Sequence, residues 1–236
     1  MNCEYSVLIV GVAVVVIPSA DDSKHYKDLI NSMLLAQLAA NKKIEKTPSV
    51  NWYDVYVGFL DNYWLRHSRA RQDLFIAHDN IESVADWTVA ALFKGTAADK
   101  SAAALVLRRL TLLSGTEPAL VLLRQHVQKV SPPEPDETLA SARAVRLLVA
   151  VANSPTSVTS VYLELETDRI LGCNPLAELF QAGEVRGSVC MRYAAASLSE
   201  TLYAPVREAI ALKIRDRLDD NVAMLTLPDE ERVADN

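Results

Sequence analysis

Hydrophobic and polar positions divide the chain into segments with different spacings. The first segment, Val7–Ile17, is continuously apolar and rich in Val and Ile, which is typical of a strand buried on both faces. It is much shorter than the roughly 20 apolar residues that a helix needs to cross a bilayer. We therefore predict a buried N-terminal strand over residues 5–17 and no membrane span.

Helical spacing of apolar residues dominates residues 21–153. The first helix carries apolar positions from Tyr26 to Leu38, and the next begins at Asn51, a residue type that caps helices well. Gly95 and Gly115 lie where helix ends are expected. The predicted helices cover about residues 21–43, 51–71, 80–94, 99–113, 118–130, 139–152 and 205–218, with a short further helix opened by Asn174-Pro175.

Alternating apolar and polar residues predict strands in the last third of the chain, at 158–166 and 187–194, with a final strand at 222–227. The N-terminal strand is too apolar for a surface, so we expect it to join these strands in a small sheet. The predicted fold class is α+β and predominantly helical, a helix bundle of about 5–6 helices packed on that sheet. Residues 1–227 form a single domain in this interpretation, and residues 228–236 form a disordered acidic tail.

Composition and charge limit the classes of function. Half of the residues are hydrophobic, enough for a substantial core, and the net charge of -6 argues against a general polyanion binder. The charge is uneven, because residues 24–150 contain 16 Lys and Arg against 13 Asp and Glu, whereas residues 151–236 contain 8 against 14. Three cysteines without paired spacing favour free thiols in a cytoplasmic or other intracellular compartment.

Motifs for catalysis, metals and cofactors are missing from the sequence. The glycines do not form a phosphate-binding loop, no His or Cys pair has zinc-binding spacing, and no Gly-x-Ser-x-Gly elbow occurs. We therefore predict no catalytic residue, no cofactor and no metal. Ordinary structural roles are favoured for the weaker candidates, which are the helix-face group His78, Glu82 and Asp86, the thiol of Cys173, and core histidines His67 and His126.

An aromatic and basic segment is the strongest functional lead. Residues 52–64 contain six of the fifteen aromatic side chains, and a basic run from Arg66 to Arg71 follows. A helical wheel gathers the aromatic residues on one arc, which favours a core helix with a charged end. The alternative is a protein-contact surface, or a nucleic-acid or anion-contact surface where bases stack on the rings and guanidinium groups hold phosphates. Its candidate residues are Trp52, Tyr53, Trp64, Arg66, Arg69 and Arg71.

Three functional hypotheses follow from these patterns. The favoured one is a non-enzymatic structural or assembly protein that self-associates as a homo-oligomer, or binds a protein partner, through apolar helix surfaces at Ala102–Leu113, Ala119–Leu123 and Leu147–Ala152. The second is an enzyme whose site converges from distant segments, so enzymatic activity stays open. The third is a nucleic-acid-binding or nucleoprotein packaging protein that uses residues 42–71.

Overall fold

A mixed β-sheet forms the centre of the fold. The computed structural model describes residues 5–18, 23–78, 80–93, 100–130, 143–225 and 227, and within them the main sheet has eight strands. The strands are β1 (Tyr5–Val10), β2 (Ala13–Pro18), β3 (Trp64–Leu74), β4 (Ile81–Ser83), β5 (Gln128–Val130), β6 (Arg143–Ser154), β7 (Ser157–Thr167), β8 (Leu179–Gln181), β9 (Arg186–Leu198) and β10 (Val222–Leu225). The helices are α1 (Lys27–Lys46), α2 (Trp52–Leu60), α3 (Val84–Phe93), α4 (Lys100–Thr111), α5 (Pro118–Val127), α6 (Glu200–Tyr203) and α7 (Arg207–Ile214).

The sheet runs in the order β10-β1-β2-β6-β7-β9-β3, and β5 pairs beside β6. Its pairs are antiparallel except for β2 with β6, which are parallel. Strands β4 and β8 form a separate two-stranded sheet. The predicted helix bundle on a small sheet is therefore wrong, because the sheet is the largest element and the helices cover it.

Helices pack on both faces of the main sheet. Helices α3, α4 and α5 cover one face, where Val7 and Ile9 of β1 are buried against them. Helices α1, α2 and α7 cover the other face, where the alternate residues Leu8 and Val10 are buried. Because successive side chains of a strand point to opposite faces, a strand between two helical layers must be apolar at every position. Burial on both faces of the sheet therefore explains the continuous apolar run near the N-terminus.

A hairpin replaces the single strand predicted over residues 5–17. Strands β1 and β2 are joined at Gly11 and Val12, and Gly11 has a φ of 56°, the left-handed region that glycine adopts without strain. The buried Gln37 of α1 holds this turn: its Nε2 donates to the Val10 carbonyl at 2.9 Å, and its Oε1 accepts from the Val12 N–H at 3.0 Å. The apolar run is thus two paired strands, and one buried amide fixes the turn between them.

The helix predicted over residues 139–152 is also wrong. Residues 143–154 form β6, in the interior of the sheet between β2 and β7. Its residues are buried on both faces of the sheet, so the sequence shows no alternation of apolar and polar positions. An apolar run of this length is equally compatible with a buried strand and a buried helix. Residues 131–142 lie outside the described residues.

Smaller differences concern the ends of predicted helices. The segment 80–94 begins with β4 before α3, and the segment 118–130 ends with β5 after α5. No helix starts at Asn174; instead its Nδ2 donates to the Leu110 carbonyl at 2.8 Å, near the end of α4. The predicted tail, residues 228–236, lies outside the described residues.

Candidate functional site

The aromatic and basic segment folds as a helix followed by a strand. Helix α2 begins after Asn51, whose side chain accepts a hydrogen bond from the backbone N–H of Asp54 at 3.1 Å. It ends at Leu60, and Asn62 Nδ2 donates to the Phe59 carbonyl at 2.8 Å just beyond that end. The chain then enters β3. A single helix reaching Arg71 was therefore a wrong prediction.

The two tryptophans among the candidate site residues belong to the core. Trp52 is 1% exposed and Trp64 is 3% exposed. Each indole N–H has a partner inside the protein: Trp52 donates to Asn41 Oδ1 at 2.7 Å, and Trp64 donates to Ser32 Oγ at 3.0 Å. Neither ring is available to a ligand on the surface. The helix is anchored further by Tyr162 of β7, which stacks on Trp52.

The arginines lie on β3, the strand at one end of the main sheet. Within the described ranges its only strand neighbour is β9, and residues 65–71 are exposed at every position. The pairing with β9 shifts between Arg66 and Ser68, a bulge in which His67 bonds to Ser197 Oγ at 2.8 Å. This extra residue changes the alternation, so that Arg66 and Arg69 lie opposite Ala196 and Ala194, on one face of the sheet.

A groove runs between this face of β3 and helix α2, with a volume of about 420 Å³. We call it the arginine groove. It brings together Tyr53, Arg66, Arg69 and Arg71 of the predicted site with Arg192 of β9. The remaining lining residues are Asp54, Val57, Gly58, Asp61, Ala70 and Tyr193.

Three of the four arginines have carboxylate partners. The pairs are Arg66 with Asp61 at 2.6 Å, Arg71 with Asp73 at 3.1 Å, and Arg192 with Asp54 at 2.6 Å. Arg69 has no carboxylate partner among the residues described. Two aspartates and four arginines line the groove, so it carries excess positive charge although the whole chain is acidic.

The Arg192 guanidinium is the most enclosed cation of the groove. Its side chain is 17% exposed, and its carbon Cζ lies 4.9 Å from the centre of the Tyr53 ring, a cation–π contact. Its Nε is buried and has no hydrogen-bond acceptor within the described part of the chain. A buried donor without an acceptor costs free energy.

Burial and hydrogen bonding shift the pKa of several groups near the groove. Burial raises the pKa of Tyr53, and burial likewise raises the pKa of the neighbouring Cys190 thiol. Both therefore stay protonated at neutral pH. The hydrogen bond from Arg71 lowers the pKa of Asp73, which stays ionised and paired. The groove thus presents cations at neutral pH, and its described residues provide no pair of nucleophile and general base.

A second, apolar cavity of about 40 Å³ lies beside the groove, between helices α1 and α2 and the sheet. It shares Tyr53, Val57, Asp61 and Arg66 with the groove. Cavities that hold small molecules usually have several hundred Å³, so this one admits only a few water-sized atoms. The groove itself is larger and open to solvent.

The weaker candidates from the sequence do not assemble into a second site. His78 is exposed, Glu82 accepts a hydrogen bond from the Trp87 indole, and Asp86 accepts one from Ser83 at 2.7 Å. No group of three potential metal ligands occurs in the described residues.

The thiol and imidazole candidates are likewise dispersed. Cys173 is exposed in a loop with no helix after it. His67 is exposed on β3, so its prediction as a core residue was wrong. His126 is partly buried and bonds to the Asp220 carbonyl at 3.1 Å.

Arg192, Asp54 of α2 and Asp61, which follows α2, were not predicted as site residues. Arg192 is about 120 residues from the other groove arginines along the chain, and in the sequence it is one polar position of an alternating strand. Asp54 and Asp61 stand opposite the aromatic arc on a helical wheel, as solvated residues do. Only the pairing of β3 with β9 brings these groups together.

Comparisons with known proteins gave distant structural similarities. No protein-family model and no curated protein matches the sequence. The crystal structure of the activated Cyt2Ba monomer from Bacillus thuringiensis subsp. israelensis is 8% identical, with a TM-score of 0.43 over 79% of this chain and 97% of that chain. A delta-endotoxin structure is 9% identical, with a TM-score of 0.38 over 79% and 80%. At these values neither similarity supports an argument about this protein.

In the described ranges, no helix combines the length and the apolar composition that crossing a bilayer would require.

Proposed function

We propose that this protein is a non-enzymatic assembly protein that self-associates, and that strand β3 with the arginine groove forms its contact surface. The observation that carries the proposal is an eleven-residue strand at the end of the sheet, paired on one side only among the described residues. The unpaired side of such a strand offers backbone N–H and C=O groups to another chain. An added strand would extend the sheet from one molecule to the next.

The positive charges of the arginine groove favour an acidic partner. The exposed Arg69 is without a carboxylate partner in the described structure, so an acidic segment would supply the partner that it lacks. Arginines and a bulge also discourage pairing with neutral strands, as they do on many sheet edges. The proposed partner surface is therefore acidic, and the net charge of -6 makes such a surface available on another copy of this chain.

Direct pairing of β3 with β3 of a second copy is disfavoured. It would place like charges opposite one another, which destabilises cross-strand pairs. The proposed contact is therefore heterologous, with β3 of one copy against a different surface of the next. Contacts of this kind build rings when they close and filaments when they do not.

The apolar helix segments first expected to drive association are largely packed against the sheet, although Leu105, Leu112 and Val121 in them are exposed. Leu107 and Leu110 of α4 and Leu120 of α5 are fully buried against the sheet, and Leu147–Ala152 belongs to its interior strand β6. The proposed association therefore uses the sheet edge rather than these surfaces. An intracellular location remains part of the proposal and is supported by the free thiols of Cys173 and Cys190.

Sedimentation velocity over a range of protein and salt concentrations tests the proposal. The unmodified protein is expected to associate as its concentration rises, and salt should weaken the contact because exposed charges are screened. Arg69→Glu should raise the dissociation constant about tenfold or more, since it reverses a charge at the centre of the contact. Arg124→Glu, an equally drastic change at an exposed position of α5, should leave association unchanged.

Two results would overturn the proposal. One is a strict monomer at high protein concentration and low salt. The other is equal association of the two charge-reversal variants. Binding of a single-stranded oligonucleotide that Arg69→Glu abolishes, in a protein that stays monomeric, would replace assembly by the nucleic-acid hypothesis.

A further inference from the structure

We infer that the occupant of the arginine groove is the acidic segment of residues 228–236 from a second copy of this chain. The inference rests on the proposed self-association and names the surface that meets β3. Residues 228–236 follow strand β10, at the opposite end of the main sheet from β3. In each copy, the groove and the strand that precedes the acidic segment therefore lie at opposite ends of the sheet.

The charges of the segment complement those of the groove. Residues 228–236 contain Asp229, Glu230, Glu231 and Asp235 against a single Arg232. The groove contains four arginines against two aspartates. Carboxylates are well matched to guanidinium groups, which can donate two parallel hydrogen bonds to one carboxylate.

The spacing of the charges also matches. Arg69 and Arg71 are two residues apart and face the same side of the sheet, opposite Ala194 and Arg192 of β9. Asp229 and Glu231 are two residues apart as well, so an extended segment would direct both to one side. A segment added along β3 can therefore place one carboxylate against each of these arginines. Pro228 is tolerated at the start of an added outermost strand, whose outer side needs no donor.

The proposed occupant comes from another molecule. Strand β10, which precedes the segment in the chain, lies six strand spacings from β3, a distance of about 29 Å across the sheet. Binding of the segment to its own molecule would leave the sedimentation of the protein independent of concentration.

The contact predicted in this way is head-to-tail. The end of the sheet that carries β10 meets the end that carries β3 of the next copy, and that next copy has its own segment free for a third. Assembly by such a contact continues unless the rotation between copies closes a ring. A short acidic peptide with carboxylates two residues apart should also compete with this contact.

The first experiment uses full-length variants in sedimentation velocity. The double variant Asp229→Asn, Glu231→Gln removes the two carboxylates that match the arginines, and its dissociation constant is expected to rise about tenfold or more. Glu208→Gln on the exposed side of α7 is the matched control and should associate as the unmodified protein does. Combining Arg69→Glu with Glu231→Lys exchanges the charges of one pair and should restore association lost in Arg69→Glu alone.

The second experiment uses a labelled peptide with the sequence of residues 228–236. Fluorescence anisotropy should show that it binds the double variant, whose groove is intact, and that it binds Arg69→Glu more weakly. A peptide with Lys at the positions of Asp229 and Glu231 is the control and should not bind.

The outcomes separate this inference from the proposed function. If Arg69→Glu dissociates the assembly while the double variant associates normally and the peptide does not bind, another acidic surface fills the groove; the inference fails and self-association through β3 stands. If both variants associate like the unmodified protein, or if the unmodified protein is monomeric, the proposed function fails and the inference fails with it.

Discussion

Single polar side chains link distant parts of this protein. Gln37 holds the hairpin turn between β1 and β2 from a helix, and Asn174 binds carbonyls at the end of α4 across more than 60 residues of sequence. His126 of α5 donates to the Asp220 carbonyl, in the turn before β10. A local cap such as Asn51 could be predicted from the sequence, because its partner is three residues away. The other contacts could not, because their partners are determined by the packing of the whole chain.

His126 makes the stability depend on pH. Burial lowers its pKa from the ordinary value of 6.5, and the hydrogen bond to Asp220 opposes this effect only in part. Below pH 6.5 the unfolded chain therefore binds a proton more readily than the folded chain does. The free energy of unfolding should decrease as the pH falls from about 6.5 towards the folded pKa.

Urea denaturation between about pH 7.5 and 5.5, above the range in which most carboxylates titrate, measures this effect. His126→Gln keeps an N–H donor near Asp220 but has no titrating ring, so its stability should vary less over this range. Parallel curves for the variant and the unmodified protein would contradict the role given to His126.

The elements of this fold differ in how clearly their sequence patterns predict them. Helix α1 has apolar residues at regular helical spacing, and strand β7 alternates apolar and polar residues. The sequence therefore predicted both elements. Strand β6 is buried on both faces, and strand β3 is exposed on both, so neither has the alternation that identifies a strand. The bulge at His67 adds a further shift to β3 that only its pairing with β9 reveals.

The hairpin turn at the N-terminus provides a test at the level of elements. Gly11 has a positive φ, and a Cβ at this position would approach the Oε1 of Gln37 closely enough to force a shift. Gly11→Ala should therefore lower the free energy of unfolding by about 1–3 kcal/mol, through backbone strain and disturbance of the Gln37 hydrogen bonds.

The control is a glycine in the opposite situation. Gly58 lies in helix α2, where a Cβ would meet nothing within 4 Å. Gly58→Ala should stabilise the protein by about 0.5–1 kcal/mol, because alanine loses less backbone entropy in a helix. Chemical denaturation of both variants checks the opposite signs. A neutral or stabilising effect of Gly11→Ala would show that the turn does not require glycine.

The whole molecule explains the apolar composition without an external partner. A sheet covered by helices on both faces needs two hydrophobic layers, and these account for the apolar runs of β1, β2 and β6. Most of the apolar helix positions that suggested an interface in the sequence belong to this core. Among the described residues, the exposed large apolar side chains include Leu105 of α4, Leu212 of α7 and Phe75, which follows β3.

The candidate site was predictable in part. The sequence drew attention to the arginines of residues 66–71, and these do line the groove with Tyr53. Arg192 was beyond sequence reasoning, because β9 follows more than a hundred residues later and becomes the neighbour of β3 only in the folded sheet. Trp52 and Trp64 were predicted as site residues because they lie near the arginines in the sequence. In the structure both are buried in the core.

Hydrogen–deuterium exchange of the intact protein at increasing concentration tests the central claim most directly, because it reports on the backbone of β3 itself. If β3 is the surface through which copies associate, the exchange of amides in residues 64–74 should slow as the concentration rises, and high salt or Arg69→Glu should reverse this protection. Exchange of these amides at one rate across all concentrations, while the protein associates, would contradict the account.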